Sequence, residues 1–350
     1  MDATGNNATR RVAIACQGGG SHAAFAAGVL MELLKPKEPD LIQKFDLVAL
    51  SGTSGGAICA ALAWTALVRS GGDRATAARA LSGFWQDLAT TTPLDFAVNR
   101  ICLWFASLPW PPEFSPYDYP PWTENALRRL LTKHVRLEEM PEDRARWNHP
   151  LLLVGATDVR SGLGLALPGE NLTYNDLVAS AAVPSLYRAV RTRGSLFWDG
   201  LFTRNPPIRE LAKVLPWPIE IWVVQINPQE CQQIPTTMAR IVDRRNELMG
   251  NLSLNQELAF VDEMNESVPH SKEIEKDQQR ITLRKVTLDL DLDYVSKFDR
   301  GLNHLDRLIQ RGREKAWLFF TPQSLWNREK AQERGELAPP LKLTWGEALP

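Results

Sequence analysis

The sequence predicts an α/β chain, a three-layer α/β/α arrangement around a mainly parallel central sheet. Three observations carry this prediction. Two short apolar runs, Val12-Ala13-Ile14-Ala15-Cys16 and Phe45-Asp46-Leu47-Val48-Ala49-Leu50, each end in a glycine-rich turn and pass into a segment with helical apolar spacing. A third run, Leu151-Leu152-Leu153-Val154-Gly155-Ala156, is apolar almost throughout, as strands covered on both faces are. Composition allows such a body: 350 residues at 44% hydrophobic can bury one large core or two ordinary ones. Forty basic side chains against 41 acidic ones leave a formal charge of −1, so no chain-wide field favours nucleic acid.

After the first strand comes Gln17-Gly18-Gly19-Gly20-Ser21-His22, and residues 23–34 then place Phe25, Val29 and Leu33 at helical spacing. Three glycines at a helix start leave N–H groups unshielded, which suits a phosphate, a pyrophosphate or the oxyanion of an acyl-transfer intermediate. The nucleotide options fit poorly. A P-loop needs Gly-Lys-Ser/Thr after four spacers, where this chain has His22-Ala23-Ala24, and a dinucleotide fingerprint wants glycine at Ala23.

The second strand runs into Gly52-Thr53-Ser54-Gly55-Gly56, followed by an Ala-rich helix over 57–68. G-x-S-x-G at a strand-to-helix turn is a nucleophile elbow: flanking glycines let two backbones pass, and the serine accepts a strained conformation costing about 1–3 kcal/mol. The motif by itself is also what a glycine-rich connection without chemistry looks like. The conjunction is more specific. Adjacent parallel strands bring both turns to one rim, with free N–H donors beside an exposed hydroxyl. One such donor stabilises an oxyanion by about 3 kcal/mol.

Residues 74–89 read as a helix, and 93–122 as an aromatic and proline-rich insertion that no single regular helix spans. It is expected to pack over the core as a loop or to form a lid of an apolar pocket that touches membrane lipid. Helix resumes at 122–131 with Thr123 as N-cap. Residues 175–182 form a short helix, 196–198 a strand ending at Asp199-Gly200, 208–214 a helix and 219–226 a strand. Asp199, after an apolar strand and before glycine, reads either as a turn aspartate or as a carboxylate at the rim of Ser54. A long helix is expected over 236–266 with Ile241, Leu248, Leu252, Leu258 and Val261 on one side. A polar loop at 268–279, a half-exposed strand around Val286 to Leu292 and a helix over 302–320 follow. The domain organisation expected is a flexible N-terminus at 1–10, one domain over 11–320 and a weakly patterned tail at 321–350.

Cys16, Cys59, Cys102 and Cys231 form no CxxC pair or ligand cluster and read as reduced and structural. No metal or cofactor is expected. No apolar stretch is long enough for a membrane span or a signal segment, so a cytoplasmic location is expected, peripheral to the membrane if the 93–122 segment meets lipid.

Gly18-Gly19-Gly20-Ser21-His22 after one strand, Gly52-Thr53-Ser54-Gly55-Gly56 after the next, and Asp199-Gly200 after Ala179-Ser180-Ala181-Ala182-Val183-Pro184 together resemble the patatin-like phospholipase family. The resemblance implies an α/β/α fold and hydrolysis of acyl esters of phospholipids, other lipids or thioesters by a Ser–Asp dyad without histidine. It makes Ser54 the nucleophile and Asp199 the general base, with the Gly18-Gly19-Gly20 loop and Gly55 as the oxyanion hole. The family usually has Arg or Lys and then Gly at His22 and Ala23, and Gly or Ala at Leu201. A Ser–Asp–His hydrolase using His270 or His304, and a non-catalytic lipid-binding protein on the same fold, are the competing readings.

Overall fold

The computed structural model describes residues 10–34, 45–108, 115–142, 150–214, 218, 220–231, 233–267 and 280–320. The expected polar loop at 268–279, the tail at 321–350 and most of the N-terminus fall outside them.

An eight-stranded, mostly parallel sheet carries helices on both faces. Its strands are β1 (Arg10–Cys16), β2 (Phe45–Thr53), β3 (Leu151–Asp158), β4 (Gly164–Pro168), β5 (Val190–Thr192), β6 (Ser195–Asp199), β7 (Glu220–Gln225) and β8 (Thr282–Thr287), in the order β5-β6-β3-β2-β1-β7-β8 with β4 paired to β3. β2, β1, β7 and β8 run parallel with β3, whereas β4 and β6 are antiparallel to it. Alternation along β1 divides the core, because successive side chains leave opposite faces. Val12, Ile14 and Cys16 join α1 (Ala24–Leu33), α2 (Gly55–Arg69) and α8 (Leu302–Phe320). Ala13 and Ala15 face Leu254, Leu258 and Val261 of α7 (Met238–Ser267).

Every residue of α1 is buried, which requires close neighbours. At the crossing with α8 two glycines let the backbones touch: a Cβ on Gly28 would lie 2.0 Å from the Ile309 carbonyl oxygen, and one on Gly312 would lie 2.1 Å from that of Phe25.

Several expectations are corrected. The 93–122 segment divides: α4 (Pro93–Ser107) is a regular helix, and the remaining prolines come after it. Pro93 occupies its first position, where the missing N–H costs nothing, and Thr92 with Asp95 closes a capping box. Residues 109–114 lie outside the described set. α5 (Trp122–Val135) starts after Pro121 without a side-chain cap, so Thr123 is inside the helix. Residues 208–214 make only a 3-10 turn, Leu211–Lys213. The edge strand β8 ends at Thr287, before Leu290 and Leu292. In α7 the expected stripe breaks: Leu258 and Val261 are buried, but Ile241, Leu248 and Leu252 are exposed. Leu252 lies about half a turn from Leu254, the residue that faces the sheet. Cys16 and Cys59 are buried, Cys102 and Cys231 exposed, and all four are free.

The α1–α8 crossing has no room for a methyl group. Gly28→Ala is expected to lower unfolding stability by about 2 kcal/mol or more, as overpacking of a filled core does. Urea denaturation of the two proteins checks this, and an unchanged midpoint would show that the helices separate freely.

Candidate active site

The site begins where β1 and β2 end. Cys16 stands opposite Gly52 in the parallel register, so the glycine loop and the elbow leave the sheet side by side. Ser54 is the N-cap residue of α2, with φ 55° and ψ −129°, a strained pair for a residue with a Cβ. Neighbouring glycines make the turn fit: a Cβ on Gly56 would meet the Cys16 carbonyl oxygen at 2.3 Å, and one on Gly52 the Gly56 carbonyl oxygen at 2.4 Å. The Ser54 N–H donates to Ser180 Oγ at 3.0 Å, and that hydroxyl donates to the Gly155 carbonyl at 2.7 Å. Thr53 Oγ1 donates to the Arg204 carbonyl.

Asp199 ends β6, where it pairs with Ala156 of β3. Its N–H donates to the Ala182 carbonyl at 3.0 Å, and its own carbonyl accepts from Thr157 Oγ1 at 2.9 Å. The carboxyl is fully buried. Oδ1 accepts the Leu201 N–H at 2.8 Å, while Oδ2 has no completed hydrogen bond. Burial pushes its pKa up to about 7, against the lowering effects of the Leu201 N–H and the Ser54 hydroxyl. Ser54 therefore lies close enough to act on the carboxyl but short of a completed bond.

The three loop glycines are not equivalent. Gly18 is buried, a Cβ on it would lie 2.8 Å from Ser54 Cβ, and its N–H donates to Asn205 Oδ1 at 2.7 Å. That N–H is therefore already used, unlike the free donor expected of it. Gly19 is half-buried and Gly20 exposed, and among the described residues neither N–H has an acceptor, nor does that of Gly55. Gly20 has φ 58°, and a Cβ there would lie 2.4 Å from the Lys297 carbonyl oxygen. Gly55 closes against the loop, where a Cβ would lie 2.8 Å from the Gly20 carbonyl oxygen.

His22 caps nothing with its side chain. It is buried, its Nε2 is 2.9 Å from Ser296 Oγ, and desolvation with Lys297 and His304 nearby holds its pKa well below the usual histidine range. Among the described residues no histidine hydrogen-bonds Ser54 or Asp199; His304 lies beside His22, and His270 is outside the described set. No group of three or more His, Cys, Asp or Glu among the described residues could hold a metal ion. Ser180 and Asn205 also support the site, which the sequence signals only by position: Ser180 lies in the Ala179-to-Pro184 run and Asn205 follows Asp199 closely.

The family model for patatin-like phospholipases matches residues 14–212, more than half of the chain. The chain belongs to the patatin-like phospholipase family. The fold is correspondingly the patatin-like α/β/α arrangement, and the matched span holds the glycine loop, the elbow and Asp199. Among solved structures, that of VipD from Legionella pneumophila is similar at 14% identity and a TM-score of 0.37, covering 88% of this chain and 67% of that one. No curated protein matches the chain.

Because the folded chain holds the Asp199 proton more tightly than the unfolded one, this group's contribution to stability falls as pH rises from about 4 to about 7. Asp199→Asn removes that loss. Its stability advantage over the native protein should grow by about 3 kcal/mol between pH 5 and pH 8 and then level off. Urea unfolding across this range tests it; an advantage that does not change with pH would mean an ordinary carboxyl.

Proposed function

We propose that this member of a family of lipid acyl hydrolases cleaves acyl esters of phospholipids or related lipids through an acyl-enzyme on Ser54, with Asp199 as the base. One observation carries the reading: a buried carboxyl with a free oxygen and a pKa raised to about 7 stands beside a serine held in a strained turn. A carboxylate of ordinary pKa is a poor acceptor for a serine proton, and burial raises its basicity toward the working range. Asp199 takes the Ser54 proton as Oγ bonds to the ester carbonyl carbon, and the carbonyl oxygen becomes an oxyanion. The N–H groups of Gly19, Gly20 and Gly55 are the donors for it, while Gly18, read from the sequence as a fourth, brings the loop against Ser54 and gives its N–H to Asn205. As the tetrahedral species collapses, the ester C–O bond breaks and Asp199 returns the proton to the leaving alkoxide. Water then attacks the acyl-enzyme while Asp199 accepts its proton, and as the bond between the acyl carbon and Ser54 Oγ breaks Asp199 returns that proton to Oγ, which frees the fatty acid and restores both residues.

The lipid is reached from outside the bilayer in this reading, as no helix among the described residues is long and apolar enough to cross one. α4 is the lipid-facing element. Only Asn99 of its fifteen residues is buried, whereas Leu94, Ile101 and Trp104 are 74%, 54% and 58% exposed, with Phe96 and Phe105 beside them. Water is a poor partner for such a face, and tryptophan and phenylalanine suit the interfacial region.

Two measurements test the reading. A fluorophosphonate probe should label the native protein and not Ser54→Ala. Soluble-ester hydrolysis should fall at least about 10³-fold in Asp199→Asn and, in the native protein, rise about tenfold per pH unit until it levels near pH 7. A native protein that neither labels nor hydrolyses oxyesters or thioesters would favour the lipid-binding alternative. For α4, the double change Ile101→Asp and Trp104→Asp should reduce sedimentation with anionic phospholipid vesicles and vesicle hydrolysis by about tenfold or more, with soluble-ester turnover kept within about twofold. Equal losses on both substrates would remove α4 from the lipid surface.

A further inference from the structure

Resting on the acyl-hydrolase reading, we infer that Asn205 is a positioning residue that fixes the glycine loop relative to Ser54 and decides which of its N–H groups are left for the oxyanion. Asn205 is 1% exposed and far from the loop in sequence, yet its Oδ1 accepts the Gly18 N–H at 2.7 Å. Its Nδ2 donates to the Gly250 carbonyl, inside α7, at 3.3 Å. Gln17, the residue before Gly18, donates to the same carbonyl at 3.1 Å and to Asn251 Oδ1 at 2.9 Å, while its Oε1 accepts the N–H groups of Ile226 and Asn227 at 2.8 and 2.9 Å. Two amide side chains thus bind the start of the loop to one carbonyl of a buried helix segment.

Asn205 is itself well held. The preceding residue, Arg204, accepts from Thr53 through its carbonyl and pairs with the buried Glu257, whose Oε2 accepts the N–H groups of Ile208 and Arg209 at 3.0 and 2.6 Å. One short segment therefore carries Asp199 at its start, binds the residue next to Ser54 and anchors the glycine loop. Gly18 has no side chain to set its position: a Cβ there would overlap Ser54 Cβ and the Thr53 carbonyl. Its peptide is oriented by the partner of its N–H. With that N–H turned to Asn205, the next two amides are the unoccupied ones. If Asn205 lost its oxygen, the Gly18 N–H would be buried without an acceptor, a situation the loop relieves by turning. A displacement of about 1 Å at such donors is enough to cost about 100-fold in rate.

The experiment compares native, Asn205→Ala and Asn205→Asp proteins on a soluble medium-chain ester at pH 8, with the rate of fluorophosphonate labelling measured alongside. Asn205→Ala should lower kcat and the labelling rate by about 30- to 100-fold while KM stays within about twofold. Asn205→Asp, which keeps an acceptor for Gly18 but loses the donor to the Gly250 carbonyl, should retain a kcat at least about fivefold above that of the alanine variant. A folded Asn205→Ala protein with native kcat, or one changed only in KM, overturns the inference. So does a folded Asn205→Asp protein as impaired as the alanine variant or, if the alanine variant does not fold, one about 30-fold or more below native kcat. If the native protein itself is neither labelled nor active, the hydrolase reading falls and takes this inference with it, whereas an active, labelled native protein with indifferent variants refutes Asn205 alone.

Discussion

The parallel pairing of β1 with β2 is the contact on which the site depends. Cys16 opposite Gly52 ends both strands at the same level, so the two turns leave the sheet together and must pass within van der Waals reach. That approach works only where side chains are absent. Gly18 against Ser54, Gly56 against the Cys16 carbonyl and Gly55 against Ala23 and Gly20 each occupy a place in which a Cβ would come within 3 Å of another atom. The glycines of the two motifs are therefore requirements of the crossing, before any chemistry is assigned to them. Ser54 bears the conformational strain, and the hydrogen bond from its N–H to Ser180 helps hold it there.

β3 brings the other half. It pairs with β2 near its start and with β6 near its end, so Thr53 faces Gly155 and Ala156 faces Asp199 across adjacent registers. The absence of a side chain at Gly155 leaves room for Thr53 Oγ1 to reach the Arg204 carbonyl. A carboxyl fixed at this depth loses hydration that only one backbone N–H replaces in full. Burial outweighs that bond, and the pKa rises. The same sheet geometry that sets Asp199 at this depth also makes it costly to ionise, which is the property the proposed base requires.

Local code was legible in the sequence and long-range support was not. Ser54 and the glycine loop stand out because strand, turn and helix signals are contiguous, whereas Asp199 stands out only through the family resemblance, since an aspartate before glycine fits an ordinary turn as well. Asn205 carries no such signal, since nothing local records that its partner is Gly18. α4 was hidden by the prolines that follow it, although the Thr92–Asp95 capping box is a local signal. The apolar stripe of α7 misled for another reason: only its second half lies on the sheet, and the core-facing positions Gly250, Asn251, Ser253 and Glu257 are small or polar, so hydrophobicity does not mark them.

The altered residues beside the glycine loop follow from the same packing. The 3-10 turn Val295–Phe298 closes over the loop, with the Lys297 carbonyl against Gly20 and Ser296 bonded to His22. Lys297 is half-buried there, donating to Asn227 Oδ1 at 2.7 Å, and desolvation draws its pKa down to about 8 against the pull of Glu247 and Asp243. A second cation at position 22, where the family usually has arginine or lysine, would face this one in a poorly solvated space, and repulsion between buried like charges is large. A histidine that stays neutral meets no such conflict. It keeps a hydrogen bond to Ser296, while the cation nearby is Lys297, from a segment beyond the matched family span, with its ammonium on Asn227.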